Sequence, residues 1–406
     1  MAQGALPGFR DFYPEQFAER AHVMGVWRDV ARRFAFVEYD GPPLEPLELF
    51  TTKSGDEIVG QLYNFKDKGD REISLRPEMT PTLARMVAAH ERNYKKPIKW
   101  FAIPQLFRYE RQQKGRLREH FQLNADLIGE TDPAADAELI ALLIDTLRSF
   151  GLTSEDFVIR LSSRNAWQEF FKHGGGNHAH EYSFFQIIDK LDRTPPEESE
   201  KKLSELGFSL AQVDTFIETG KPTVELDYIL RNLAARGLKD FVRIDYKVIR
   251  GLAYYTGVVF EAFDRKGEFR AIAGGGRYDN LVKLISGDKV NLPALGFGMG
   301  DVVLAELLKA RGLMPKFDPA INVFVMIEDE SLRPASLKLV HELRAAGHAV
   351  EYSLTPMKPD KQFKRAQELK AARTMRLENE TSVRIRNLQT REESVADLAG
   401  AAAQLG

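Results

Sequence analysis

The sequence predicts an α+β protein: a largely antiparallel sheet flanked by helices, with a helical insertion and a smaller C-terminal α/β domain. Three observations predict it. Strand-like runs follow one another without helices between them over most of the first 300 residues. That order suits antiparallel neighbours and argues against a doubly wound α/β domain. A mostly helical stretch of different character interrupts the runs. Beyond Asn322 the pattern changes to a regular strand–helix alternation, which reads as a partly parallel sheet.

Taken in order, the first helix spans about 14–36 and enters through Pro14, where a missing N–H is harmless. Strand-like runs lie near 35–40, 61–65 and 71–76. A second helix is expected at 77–93, entered through Pro77. Runs at 98–107 and 121–128 flank a basic loop, and a third helix follows at 133–150. A strand at 157–161 leads into residues 164–235. There Gly174-Gly175-Gly176, Pro195-Pro196 and the charged run Glu197 to Lys202 punctuate helix. Runs at 242–249, 256–263, 268–273 and 294–299 complete the sheet. Arg311-Gly312-Leu313-Met314-Pro315 to Pro319 marks a boundary. After it come a strand (Asn322 to Ile327), a helix (Ser331 to Ala346), a strand (His348 to Ser353), a helix (Lys361 to Ala371) and a strand (Ser382 to Leu388). Around Arg373 to Thr381 the sequence is compact, and the further clear strand looked for there is missing. The organisation is therefore 1–163, first part of the core; 164–235, insertion; 236–317, second part of the core; 318–406, the α/β domain.

Composition narrows the function. Hydrophobic content of 43% and charged content of 29% describe an ordinary globular chain. With a net charge of −2, a nucleic-acid partner has to be held by local basic patches. The absence of Cys excludes disulfides, thiolate zinc sites and a Cys nucleophile. It fits a reducing compartment, and a cytoplasmic location is expected. The N-terminus has no basic and apolar leader pattern, and no stretch has the apolar length of a membrane span. His173, His178 and His180 cluster loosely without acidic ligands among them, so loop histidines are a better reading than a metal site.

Five segments carry chemistry. FRYERQQKGRLREHFQ, residues 107–122, reads as strand, loop, strand. It gathers Arg108, Arg111, Lys114, Arg116 and Arg118 around Glu110 and Glu119. Such a loop suits a polyanion, because guanidinium forks match phosphate oxygens and stay charged. In Arg76-Pro77-Glu78-Met79-Thr80, Glu78 and Thr80 are expected at a helix N-terminus. A carboxylate and a hydroxyl there can hold an ammonium group, or simply cap the helix. Arg250-Gly251-Leu252-Ala253-Tyr254-Tyr255-Thr256-Gly257 brackets two tyrosines with glycines. Ala273-Gly274-Gly275-Gly276-Arg277-Tyr278-Asp279 matches neither a dinucleotide loop nor a P-loop. The glycine-laced strand Ala294 to Gly300 leaves one face flat. Gln122 and Asp126 lie four apart on one strand and share a face. Such groups on an inner face are unfavourable unless they bind something, so they point to a polar small-molecule pocket.

Together these segments resemble class II aminoacyl-tRNA synthetases over nearly the whole chain, and the histidyl-tRNA synthetase family in particular. FRYERQQKGRLREHFQ resembles motif 2, and GFRDFYPE with its following helix resembles the dimer-forming motif 1 region. RGLAYYTG and AGGGRYDNL are similar to the two histidine-specific signatures. The C-terminal domain is similar to that family's anticodon-binding domain. The resemblance implies activation of histidine with ATP to histidyl-adenylate and transfer to tRNA(His), in a homodimer, with Mg²⁺ on the phosphates. It implies Arg108 and Arg250 as the catalytic cations on the α-phosphate. It implies Glu78, Thr80, Arg108, Gln122, Asp126, Arg250, Tyr254 and Tyr255 around histidine. For ATP it implies Arg108, Glu110, Arg116 and Gly275. The Arg that ends the family's motif 3 falls at Val303 here, beside Asp301, so another cation is expected against adenine, with Arg277 a candidate. The usual Asp of RGLDYY is Ala253. An alternative within the resemblance is a non-catalytic paralogue, the histidine-sensing regulatory subunit of ATP phosphoribosyltransferase. That paralogue typically lacks the anticodon-binding domain and degrades RGLxYY and motif 2, whereas this chain keeps them.

Overall fold

The computed structural model describes residues 4–51, 59–110, 115, 117–191, 194–249, 255–317 and 321–401. Arg111, Lys114, Arg116, Arg250 and Tyr254 lie outside the described residues. The chain divides into two compact units, Met1–Pro315 and Lys316–Gly406.

In the first unit the described strands are β1 (Val37–Glu38), β2 (Leu44–Pro46), β3 (Tyr63–Lys66), β4 (Glu72–Leu75), β5 (Ile98–Ala102), β6 (Gln105–Phe107), β7 (Glu119–Ile128), β8 (Phe157–Ser163), β9 (Val242–Ile244), β10 (Val258–Asp264), β11 (Ala273–Arg277) and β12 (Ala294–Gly300). The main sheet runs β1-β5-β7-β12-β11-β10-β8-β9, with β6 pairing β7, and β2-β4-β3 form a separate small sheet. The central pairs are antiparallel and the outer pairs, β1 with β5 and β8 with β9, are parallel. The expected sheet is present, broadened by short edge strands.

The two faces of this sheet differ. Leu123, Ala125 and Leu127 of β7 alternate with Gln122, Asn124 and Asp126. Ladder partners place Leu295, Phe297 and Met299 on the apolar face. The helices Ala134–Arg148 and Pro14–Arg33 bury that face, with Trp27, Leu139, Leu143 and Phe260 fully covered. Burying a side chain of this size contributes about 1.5–3 kcal/mol. The opposite face carries Asp126, Gly296 and Gly298.

Three elements begin or end where the sequence reading did not place them. The helix after Glu78 is Thr80–His90, not 77–93, with Pro81 in its first turn, so Glu78 precedes the helix instead of capping it. The run at 268–273 is not a strand. The Asp264 carboxylate accepts from the N–H groups of Glu268 and Phe269 at 3.1 and 3.0 Å and closes a turn. The ladder resumes at Ala273, so the three glycines lie within a strand and not after one. The expected strand 242–249 stops at Ile244, and Asp245 begins a turn.

The insertion is helical: Arg164–His173, Glu181–Asp189, Pro196–Ser204, Leu210–Thr219 and Val224–Ala235. Trp167, Phe170, Phe171, Phe184, Phe208 and Phe216 form its aromatic centre. Gly176 packs directly on the Phe171 ring, so it serves close packing.

The second unit is a five-stranded sheet. Its strands are β13 (Val323–Met326), β14 (Val350–Tyr352), β15 (Arg373–Leu377), β16 (Ser382–Asn387) and β17 (Glu393–Asp397), in the order β14-β13-β15-β16-β17. β13 is parallel to both neighbours, as strand–helix alternation requires. The stretch from Arg373, where the sequence showed no clear strand, forms the central one, β15. β17 was not expected: four of its five side chains are exposed, and the ladder to β16 holds it.

Candidate active site

The site begins with two side chains on the exposed-backbone face of β7. Asp126 is 3% exposed. It and Gln122 lie over β12 where that strand has no side chains. A Cβ at Gly296 would collide with the Asp126 carboxylate, and one at Gly298 would stand 2.8 Å from the Gln122 amide. The alternate glycines therefore make a floor on which both polar groups lie, as the flat face of Ala294 to Gly300 suggested.

The Tyr278 hydroxyl donates to Asp126 Oδ1 in a buried hydrogen bond. Burial nevertheless pushes the Asp126 carboxyl up to about 7, with the Tyr278 bond opposing the rise. Tyr278 stood within a motif of interest but was not singled out. The signal available was its position one residue past a strand end, where its ring returns to the glycine face.

Tyr255 is buried in the cluster that also holds Tyr278, Val259 and Ala294. Thr256 N–H donates to Arg277 O at 2.8 Å, and the Thr256 hydroxyl donates to Asp279 at 3.0 Å. These contacts bring the two histidine-signature segments together.

The segments that carry Glu78 and Arg108 also meet. The Arg108 guanidinium donates through Nε to Pro77 O at 2.9 Å, and Phe107 N–H donates to Arg76 O at 3.0 Å. The turn carrying buried Glu78 is thus sewn to the strand that enters the basic hairpin. Arg76 anchors it from beneath, donating to Gly41 O at 2.7 Å, Gln105 O at 3.1 Å and Asp40 Oδ1 at 2.8 Å. Glu110 approaches the Arg108 guanidinium at 3.9 Å. Thr80 is half-buried at the first position of its helix.

Beyond Gln122 the same face continues through His120 to Gly300. Burial, with Arg108 and Arg10 nearby, lowers His120 to about 3, so it is a neutral imidazole at working pH. Arg10 ties three segments here, pairing with Glu119 at 2.6 Å and Asp301 at 2.9 Å, while Asp301 accepts from Phe121 N–H at 3.0 Å. At the far end Gly115, with φ +75°, lies beside the Val303 slot. A methyl at Gly115 would lie 3.5 Å from Val303 Cγ2 and 4.0 Å from Arg270 Cδ.

Two expected nucleotide ligands are elsewhere. Arg277 points from β11 to the helix-covered face. There it pairs with the fully buried Asp136 at 2.6 Å and donates to the carbonyls of Glu130 and Asp132 at 3.0 and 2.9 Å. Its guanidinium completes the core and does not replace the missing cation. Gly275 faces the same way, and a Cβ there would strike the backbone of Phe297. Its glycine identity serves strand approach, not nucleotide approach.

The geometry joins an acid pocket and an amide along one glycine floor, with the Arg108 cation close to His120 at its far end. That suits a zwitterionic amino acid at one end and a phosphate at the other. A family model described as Histidyl-tRNA synthetase matches residues 8–300, and one described as Anticodon binding domain matches residues 321–405. The chain is 48% identical to a histidine–tRNA ligase of Opitutus terrae, over 89% of this chain and 87% of that one. It is 39% identical to the histidine–tRNA ligase of Leptospira biflexa, over 93% and 90%. Among solved structures it resembles histidyl-tRNA synthetase from Nostoc sp. PCC 7120 with a TM-score of 0.81 at 22% identity, covering 100% of this chain and 99% of that one. It resembles apo S. aureus histidyl-tRNA synthetase with a TM-score of 0.76 at 24% identity, covering 99% and 100%. The chain belongs to the histidyl-tRNA synthetase family.

Proposed function

We propose that this chain joins histidine to its tRNA, first activating the amino acid with ATP. The observation that carries the reading is the buried Asp126 carboxylate beside Gln122 on a glycine floor. Its Oδ1 accepts from Tyr278, which leaves Oδ2 to accept an imidazole N–H. One of Tyr254 and Tyr255 would hydrogen-bond the other ring nitrogen. Glu78 and Thr80 hold the α-ammonium, and Gln122 holds the backbone end.

Arg108 clamps the α-phosphate and Glu110 faces the adenine side. Arg250 stands by the same phosphate. The carboxylate oxygen of histidine attacks the α-phosphorus, the bond to the β-phosphate oxygen breaks, and pyrophosphate leaves. Both cations offset the charge that builds in that step. Arg116 meets the triphosphate or the acceptor end of tRNA. With Arg277 committed to Asp136, Arg270 is the cation that stands at the Val303 slot and faces the base. Among the described residues no group of His, Asp and Glu could by itself hold a metal ion. Mg²⁺ would accompany ATP and offset part of its phosphate charge.

The family binds histidine, ATP and tRNA. For this chain we assign tRNA(His) as the acceptor, a homodimer as the assembly and the cytoplasm as the compartment. Among the described residues no helix is long and apolar enough to cross a membrane. Charging assays with labelled amino acids and purified tRNA test the reading. Histidine should appear on tRNA(His) and on no other tRNA, and a chain that binds histidine but charges nothing would contradict it.

A further inference from the structure

Arg10 lies outside the chemistry assigned so far. It stands just ahead of the first helix, Pro14–Arg33. Its guanidinium lies between two buried carboxylates, and every oxygen of both is engaged. Glu119 Oε1 accepts from Arg10 Nε at 2.6 Å, and Glu119 Oε2 accepts from Gln105 Nε2 at 2.9 Å. Asp301 Oδ2 accepts from Arg10 Nη1 at 2.9 Å, and Asp301 Oδ1 accepts from Phe121 N–H at 3.0 Å. The Glu119 and Asp301 side chains are 1% and 7% exposed. Carboxylates this buried are unfavourable unless paired and hydrogen-bonded, so both depend on the one guanidinium.

The clamp falls where the main sheet changes. The ladder between β7 and β12 ends at the pair Gln122–Gly300, and the helix Asp301–Ala310 begins at the next residue. Phe121 N–H, beyond the last β12 partner, donates to the Asp301 carboxylate instead. The N-terminal segment extends the contact, since Arg118 N–H donates to Gly8 O at 2.9 Å. Strand parity puts Glu119 and Phe121 on the helix-covered face and His120, between them, on the glycine face. Arg108 N–H donates to Arg118 O at 3.0 Å, and the charges of both Arg108 and Arg10 reach His120. The clamp thus holds from behind the part of β7 that presents the Arg108 end of the site. Asp126 lies farther along, where β5 and β12 pair with β7 on both sides.

We propose that Arg10 is a positioning residue for the nucleotide end of the site. By locking Glu119 to Asp301 it sets the start of β7 against the first turn of the helix Asp301–Ala310, and with it the placement of Arg108 and His120 on ATP. Its Nε and Nη1 are committed to the two acids on the helix-covered face, so it acts through them and not on substrate. The helix that Asp301 opens also carries Val303, so the slot beside Gly115 is set by the same joint. A misplacement of about 1 Å in such a support can cost about 100-fold in rate. This inference rests on the reading of the site as an adenylating one.

The test pairs Asp301→Asn with Arg10→Gln in the full-length chain, read by histidine-dependent ATP–pyrophosphate exchange. Asp301→Asn keeps an acceptor for Phe121 N–H and removes the carboxylate that faces Arg10. It should raise the ATP KM about tenfold while the histidine KM stays within about twofold. Arg10→Gln should do the same, and the double variant should be no worse than the more affected single one, because the residues act as a unit. Multiplied effects in the double variant, an unchanged ATP KM, or equal rises in both KM values with a lower melting temperature overturn the proposal in favour of a fold-stabilising role. If Arg10→Gln fails to fold, because it strands the buried Glu119, the split between the two KM values in Asp301→Asn decides alone. If the wild-type chain itself supports no exchange, the fault lies with the functional reading. Calorimetric binding of ATP to wild type and Asp301→Asn then decides the inference, and equal affinities overturn it.

Discussion

Asp126 is an acid that the fold places where ionisation is unfavourable. Its carboxyl is raised from 3.8 to about 7 by burial. The folded state therefore binds that proton more tightly than the unfolded chain does. Stability contributed by the protonated form is present at low pH and falls as pH rises from about 4 to about 7. In Asp126→Asn this fall should vanish, by up to a few kcal/mol, when denaturant midpoints of the histidine-free protein are compared at pH 5 and pH 8. Binding runs the other way. The carboxylate that accepts from imidazole exists above pH 7, so histidine KM in wild type should fall as pH rises from 6 to 8. In Asp126→Asn the KM should be higher and flat across that range. A wild-type KM that is flat through pH 7 would remove Asp126 from ring recognition. The nucleotide end has its own residue-scale contrast. Arg270→Ala should raise the ATP KM about threefold, the effect of losing an exposed cation from an aromatic base. Arg277→Ala should instead cost about 3–5 kcal/mol in chemical unfolding, because it strands the buried Asp136.

At the scale of elements, strand β12 is what turns two polar residues into a pocket. Its glycines are required by the side chains of the neighbouring strand and not by turns. Gly296→Ala puts a methyl into the Asp126 carboxylate, and Gly298→Ala puts one at 2.7–2.8 Å from the Gln122 amide. Gly296→Ala should raise the histidine KM by an order of magnitude or more in pyrophosphate exchange, with a smaller effect on the ATP KM. Equal kinetics would mean that the floor relaxes without cost. The pairing of Gln122 with Asp126, and the flat face of the glycine strand, were legible from a period of two. That the two features meet was not, because register between distant strands is a tertiary property. The same limit explains Arg277. Its neighbours in sequence suggested a ligand loop, but the strand starts at Ala273 and strand parity turns the side chain to the core. The helix after Glu78 was anticipated from Pro77, yet it begins at Thr80, with Pro81 accommodated in its first turn.

At the scale of the whole molecule, the chain separates into units at Pro315, each with its own sheet and core. The change in pattern from successive strands to strand–helix alternation made that division legible. The basic hairpin was legible as a cationic loop, but what it faces was not. The Val303 slot became interpretable only when Gly115 and Arg270 were found beside it. The groups assigned to adenylate formation all lie in the first unit. A chain ending at Pro315 should thus retain histidine-dependent pyrophosphate exchange within a few-fold of the full chain. Its KM for tRNA(His) should rise by at least tenfold, the loss expected when a second binding module is removed. Loss of exchange with an intact fold by circular dichroism would place part of the activation chemistry beyond Pro315. The account as a whole rests on adenylation of histidine at the Asp126 pocket. The most direct measurement is ATP–pyrophosphate exchange by the purified full chain, without tRNA, with each of the standard amino acids in turn. Exchange supported by histidine alone is the predicted result. Exchange with a different amino acid, or histidine binding without exchange, would contradict it.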